Sequence, residues 1–240
     1  MRYYGNMKRY SQIDDTSYCL GMSLTMEALK HQSRHMKEVI LSEKVIRNQE
    51  SAALCSLCEK LHIPYRYDDL LIDKLSAKEN CYCIGVFHKY DTVLHENEHL
   101  ILYHFSDLND LGTVIRSAVS FDFKDIVLIG SEIDLFDPVC IRSSMGAFFQ
   151  TSVKRYEDLS AYLQDYPDHH LIVFSAKGNK ELSELQLKKP FSLLISQDPH
   201  ELDAYDADIY TIAHHHFDTV SLAIRSSIIL EYAYQSKRVL

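Results

Sequence analysis

Two stretches of this sequence place glycine, arginine and small polar residues where they could handle an anion. In Asp107-Leu-Asn-Asp-Leu-Gly-Thr-Val-Ile-Arg116, Gly112 precedes Arg116 by one helical turn. Glycine permits close backbone approach and helix amino ends favour negative charge, so the stretch reads as a glycine at the turn into a helix with a cation one turn along. In Asp137-Pro-Val-Cys-Ile-Arg-Ser-Ser-Met-Gly-Ala-Phe-Phe149, Asp137 reads as an N-cap and Pro138 as the first helical residue. Arg142, Ser143, Ser144 and Gly146 then form a polar cluster among Val139, Ile141, Met145, Phe148 and Phe149. Glycine inside a helix costs about 1 kcal/mol relative to alanine, so Gly146 predicts that something packs closely against it.

Other candidates carry less. His214-His215-His216 with His169, His170 and His200 suggests a metal site, but consecutive residues on a strand alternate sides and cannot converge on one ion. Cys55 and Cys58 fall on the core face of an amphipathic helix, so with Cys81 and Cys83 they are expected as buried thiols, and no metal is expected. No Ser-His-Asp motif, P-loop or G-x-G-x-x-G occurs, which leaves hydrolase, NTPase and dinucleotide-dehydrogenase chemistry without support. Sixteen tyrosines without a tryptophan offer stacking faces for unpaired bases, with Tyr65, Tyr67 and Tyr82 as candidates.

The elements that must position these residues alternate between helix and strand. Periodicity predicts a helix over 25–35, a strand at 38–41, a helix over 51–61, a strand at 63–67, a helix over 69–75 and a strand at 82–87. The polar stretch 88–98 is poor in core residues and is taken as the domain boundary, giving domains 1–95 and 96–240. Beyond it come strands at 99–103, 125–129, 170–174, 191–195 and 209–212, with helices over 111–121, 138–149 and 220–237. Strict alternation implies a mainly parallel sheet with helices on both faces, preceded by a smaller α/β domain. Ligands of such sheets sit at the carboxyl ends of the strands. The loops at 175, 196–201 and 212–225 are therefore the expected ligand rim.

Composition bounds the function. With 240 residues, 46% hydrophobic and 25% charged, the chain is of an ordinary folded class. It has no run long enough for a membrane helix and no signal-peptide core, so a cytoplasmic protein with reduced thiols and no membrane partner is expected. A net charge of −9 disfavours nucleic-acid binding over the whole surface. Residues 1–47, however, hold eight Lys/Arg against five Asp/Glu, a net +3 that leaves −12 for the rest. A basic end on an acidic body permits local contact with RNA.

The order of these segments resembles the SpoU/TrmH branch of the SPOUT RNA methyltransferases, in its two-domain form with an amino-terminal substrate-binding domain. The family's N-x-G-x-x-x-R-x-A appears as Asp110, Gly112, Arg116 and Ala118, and R-x-S-x-G-A is intact as Arg142, Ser144, Gly146 and Ala147. Residues 42–87, with SEKVIRN, the HIPY turn and CYCIGVF, are similar to the substrate-binding domain.

The resemblance implies a trefoil-knotted carboxyl-terminal domain that binds S-adenosylmethionine, a homodimer, and methyl transfer to a ribose 2′-hydroxyl of rRNA or tRNA. It assigns Arg116 as catalytic and Asp110, Arg142 and Ser144 to the RNA. The cofactor would lie against Ser175, Ser196, Gln197, Asp198, Ile212, Ser221 and Leu222. Several motif positions differ. Asp110 replaces an asparagine, G-N-E-x-x-G has become Ser196-Gln-Asp-Pro-His-Glu201, I-P-M is Ile212-Ala213-His214, and S-L-N is Ser221-Leu222-Ala223. Ala223 cannot imitate an amide, and side chains replace both glycines of the second motif. The alternative function is therefore a catalytically degenerate SPOUT-fold RNA-binding or interaction protein.

Overall fold

The computed structural model describes residues 7–76, 80–96, 98–175, 178–196, 205, 207–212 and 220–238. In chain order the elements are β1 (Thr16–Leu20), α1 (Met22–Gln32), β2 (Met36–Leu41), α2 (Gln49–Lys60), β3 (Tyr65–Tyr67), α3 (Asp69–Leu75), β4 (Cys83–His88), β5 (Glu98–Tyr103), α4 (Leu108–Ser120), β6 (Asp125–Ile129), α5 (Pro138–Ser143), β7 (Ser152–Tyr156), α6 (Leu159–Asp165), β8 (His170–Phe174), β9 (Lys180–Glu181), β10 (Phe191–Ser196), β11 (Asp208–Thr211) and α7 (Leu222–Lys237). They form two compact units, residues 1–90 with 134–149, and residues 91–133 with 150–240.

The first unit is built on a four-stranded sheet of order β1-β4-β2-β3, in which β4 runs antiparallel to both neighbours and β2 pairs parallel with β3. One core gathers Leu29, Val39, Leu41, Leu54, Cys58 and Ile63 beneath α1 and α2; a second gathers Tyr18, Ile40, Ile72, Leu75 and Ile84. All six cysteines are free. Burial pushes the Cys58 thiol up to about 11 and those of Cys83 and Cys140 up to about 12, so they stay protonated at neutral pH.

The segment 134–149 joins this unit, although in sequence it lies between strands of the second. Asp137 caps α5 as expected, its carboxylate accepting from the Val139 N–H at 2.7 Å. The helix expected over 138–149 ends early, at Ser143. Ser144 donates from its hydroxyl to the Ile141 carbonyl, Met145 turns left-handed at φ 53° and Gly146 at φ 81°, and the chain resumes as a 3₁₀ turn over Ala147–Gln150. A left-handed pair of this kind closes helix ends and favours glycine. The expected close approach at Gly146 is present, since a Cβ there would lie 3.0 Å from that of Glu27 on α1.

The second unit is a seven-stranded sheet of order β7-β6-β5-β10-β8-β11-β9, parallel at every pairing. Its inner strands β6 and β10 are buried along their whole length and mostly apolar, as parallel strands covered on both faces must be. The expected α/β class with a mainly parallel sheet is thus present. Four elements were not anticipated from periodicity: β1, β7, α6 and the two-residue β9. Gly112 does not form the turn into α4. That turn is made by Asp107, whose carboxylate accepts from the Asn109 and Asp110 N–H groups, and Gly112 is buried within the helix.

Candidate functional site

In the second unit the carboxyl ends of β8, β10 and β11 meet the first turns of α7. Among the described residues, Phe174, Ser175, Ile195, Ser196, Tyr210, Ile212, Leu222, Arg225 and Ile229 line one cleft there. The Ser175 N–H donates to the Tyr210 carbonyl at 2.9 Å, which holds the exit of β8 against β11. Gly178 follows, its N–H donating to the Ser175 carbonyl at 3.2 Å. A Cβ on Gly178 would run into the Tyr210 carbonyl and stand 2.6 Å from the Thr211 nitrogen, so only glycine lets this loop lie on the strand. The start of α7 is fixed by Ser221, whose hydroxyl accepts from the Ile224 N–H at 3.4 Å.

Four residues expected at a cofactor, Ser175, Ser196, Ile212 and Leu222, are therefore brought to one cleft. Ser221 sits at its edge as the cap of α7, while Gln197 and Asp198 lie outside the described residues. Phe174, Ile195 and Leu222 give the cleft apolar walls, and the strand-end serines Ser175 and Ser196 are buried among them. Arg225, at the end of the expected rim but not among the residues assigned to the cofactor, also lines the cleft. Its signal was its spacing, three residues after Leu222 and hence one helical turn further along α7.

Arg116 projects from α4 on the exposed stripe that also carries Asn109, Thr113 and Ser120. Its guanidinium makes no hydrogen bond or ion pair among the described residues, so the charge is available to a ligand. Asp110 is half-buried in the first turn of the same helix. Helix α4 packs against α7 through a Ser117–Ser227 hydroxyl pair at 2.8 Å and a Phe121–Tyr234 ring contact. The helix bearing Arg116 is thus clamped to the helix that bears Leu222 and Arg225.

Arg142 and Ser144 belong to the first unit. Arg142 is exposed at the end of α5, whereas Ser144 is fully buried, its hydroxyl engaged in closing that helix. Tyr67 and Tyr82 expose more than a third of their surface, and Tyr65 donates its hydroxyl to Glu59 at 3.0 Å. The histidine run 214–216 lies outside the described residues. Among the described residues no group of three or more His, Cys, Asp or Glu converges as a metal site, and no helix is long and apolar enough to cross a membrane.

Residues 97–197 match the family model of the SpoU rRNA methylase family, which bears out the resemblance seen in the motifs. The fold is that of SpoU methyltransferases. An S-adenosylmethionine-bound rRNA methyltransferase from Sinorhizobium meliloti superposes with a TM-score of 0.77 at 18% identity, covering 92% of this chain and 87% of its own. The SpoU methyltransferase AviRb from Streptomyces viridochromogenes, in complex with the same cofactor, gives 0.78 at 13% identity, covering 94% and 92%. An RNA 2′-O ribose methyltransferase gives 0.73 at 17% identity, covering 94% and 90%. No curated protein matches the chain by sequence.

Proposed function

We propose that this chain is an S-adenosylmethionine-dependent RNA methyltransferase, acting in the cytoplasm as a homodimer on a ribose 2′-hydroxyl of rRNA or tRNA. The observation that carries the reading is the cleft lined by Ser175, Ser196, Ile212 and Leu222, of which Ser175 and Ser196 fall within the residues 97–197 that match the SpoU family. In this reading residues 1–95 are the RNA substrate-binding domain and 96–240 the methyltransferase domain. The trefoil knot belongs to the same reading, supported by the insertion of β10 between β5 and β8.

Ser175, Ser196, Ile212 and Leu222 would hold the cofactor, together with Gln197, Asp198 and Ser221. When bound, S-adenosylmethionine supplies a methyl group activated by its sulfonium. Arg116 is permanently charged and a poor proton acceptor, so its role is to stabilise negative charge developing on the 2′-oxygen rather than to remove the proton. Asp110, in the first turn of the same helix, and Arg142 face the RNA. Ser144 contributes by closing the helix end that carries Arg142.

Calorimetric titration with S-adenosylmethionine tests the cofactor assignment without knowledge of the RNA. One ligand per chain with a micromolar Kd, about −8 kcal/mol, is expected. Arg116→Ala should keep that affinity while slowing transfer of labelled methyl to RNA about 100- to 1000-fold. No heat and no thermal stabilisation at millimolar ligand would instead favour the degenerate RNA-binding protein. Unchanged transfer by the Arg116 variant would remove that residue from the mechanism.

A further inference from the structure

Within the first unit, the segment that carries Arg142 begins at a three-way clip. Lys89 donates from Nζ to Asp134 Oδ2 at 2.6 Å and to the Gln12 carbonyl at 2.8 Å, and Tyr10 donates its hydroxyl to the same Asp134 oxygen at 2.5 Å. The other carboxylate oxygen accepts from the Phe136 N–H at 2.9 Å. The Lys89 ammonium also lies over the Tyr10 ring, 5.0 Å from its centroid. The two charged side chains are only 16% and 13% exposed, so the pair is shielded enough to be geometrically exacting. Burial alone would raise the Asp134 carboxyl, but its donors outweigh that and hold it below the ordinary carboxylate range.

The rest of the segment is held with similar firmness. Ser17 donates to the Phe136 carbonyl, Gln32 donates to the Phe149 carbonyl at 3.0 Å, and Gly146 lies against Glu27. Phe136 packs against Phe148 and Tyr90 edge-on. Out of this fixed frame projects Arg142, exposed and without a hydrogen bond or ion pair among the described residues. A rigid mount that leaves one cation unpaired is what positioning on a phosphate requires.

We infer that the Tyr10–Lys89–Asp134 clip is a positioning device that presents Arg142 to an RNA phosphate. The inference rests on the reading of Arg142 as RNA-facing. Asp134 touches no RNA and acts through the segment it anchors.

The test measures the affinity of the full-length protein for total tRNA as a function of salt, for Arg142→Ala, Asp134→Asn, Tyr10→Phe and the Arg142/Asp134 double variant. Losing one phosphate contact should weaken binding by Arg142→Ala about fivefold and reduce the salt slope by about 1. Asp134→Asn should reproduce most of that loss and add nothing in the double variant, because both act through one contact. Tyr10→Phe, which removes one hydrogen bond and leaves the ion pair, should shift affinity in the same direction by about twofold, so the idea stays open to refutation even if Asp134→Asn folds poorly. S-adenosylmethionine affinity should not change in the Tyr10 and Asp134 variants. If Arg142→Ala weakens binding while the clip variants have no effect, or have effects that add to it, the clip is structural only. If Arg142→Ala changes neither affinity nor slope, the RNA-facing reading of the segment fails, and the clip's role fails with it.

Discussion

Gly178 lies so close to the Tyr210–Thr211 peptide that a methyl group there must displace backbone, and that backbone is a wall of the cleft. Gly178→Ala is expected to cost about 1–3 kcal/mol by overpacking and to weaken S-adenosylmethionine binding about tenfold. A melting curve and a titration on the same preparation check both effects, and a variant with wild-type values in each would show that this contact does not set the wall. Nothing near Gly178 in the sequence announces the constraint, because it comes from a strand some thirty residues later. Gly146 was legible in part: a glycine within the helical pattern signalled the close neighbour that Glu27 supplies, but not that the helix ends before it in a left-handed turn. The types and spacing of Arg142 and Ser144 were also legible, but not that one is exposed and the other buried. That division depends on where α5 stops, which the left-handed turn at Met145 and Gly146 decides.

Among the elements, strands buried on both faces were the easiest to read, since the runs DIVLI and HLIVF can be nothing else in an alternating chain. The missed strands β1 and β7 are both sheet edges, and β7 in particular is exposed enough to carry Lys154 and Arg155, so its sequence lacks an apolar run. At the amino ends of the central strands β5, β10 and β8 of the second sheet lies a buried polar network. His99 and His169 direct Nε2 at the His95 and Glu96 carbonyls, at 2.6 and 2.9 Å, which fixes the proton on that nitrogen. Their Nδ1 atoms then accept from the Tyr162 and Ser192 hydroxyls, at 2.7 and 2.8 Å. Burial lowers the proton affinity of both rings in the folded chain. The unfolded chain therefore binds protons first as pH falls. Stability from this network is complete above about pH 6.5 and is lost below it, by about 1.4 kcal/mol for each pH unit by which a ring is depressed. The paired carboxylates Asp134, Asp165 and Asp208 are also depressed, but their contribution is lost only below about pH 4, so the two windows separate. Melting temperatures between pH 8 and pH 5 should fall from pH 6.5 downward, and less steeply in His169→Gln. A flat profile over that range would mean that the network tolerates an imidazolium.

At the scale of the whole molecule, the partition of the chain was only partly visible. The polar stretch 88–98 stands out by composition, but the return of 134–149 to the first unit depends on contacts of Asp134, Phe136 and Gly146 with distant residues. Helix α7 poses a different question. Its buried face, Leu222, Ser226, Ile229, Leu230 and Ala233, accounts for its attachment to the sheet. A second apolar stripe at Ile224, Ile228 and Tyr232 follows the i, i+4, i+8 spacing and borders an open groove with Thr113 and Phe121 of the α4 region. Ile224 and Tyr232 expose 57% and 42% of their surface, where a helix serving one core would carry charge. Two apolar stripes on one helix argue for a second partner, and a symmetric copy of the same groove supplies matching apolar surface. The homodimer proposed above would use this face. Light scattering should give twice the chain mass of 27.8 kDa at micromolar concentration. Ile224→Glu places a charge at the amino-terminal end of the stripe, on an exposed side chain outside the core. It should weaken dimerisation at least about 100-fold, with an unchanged far-UV spectrum. A wild-type protein that is monomeric at tens of micromolar, or a glutamate variant that dimerises as tightly, would show that the stripe serves some other contact.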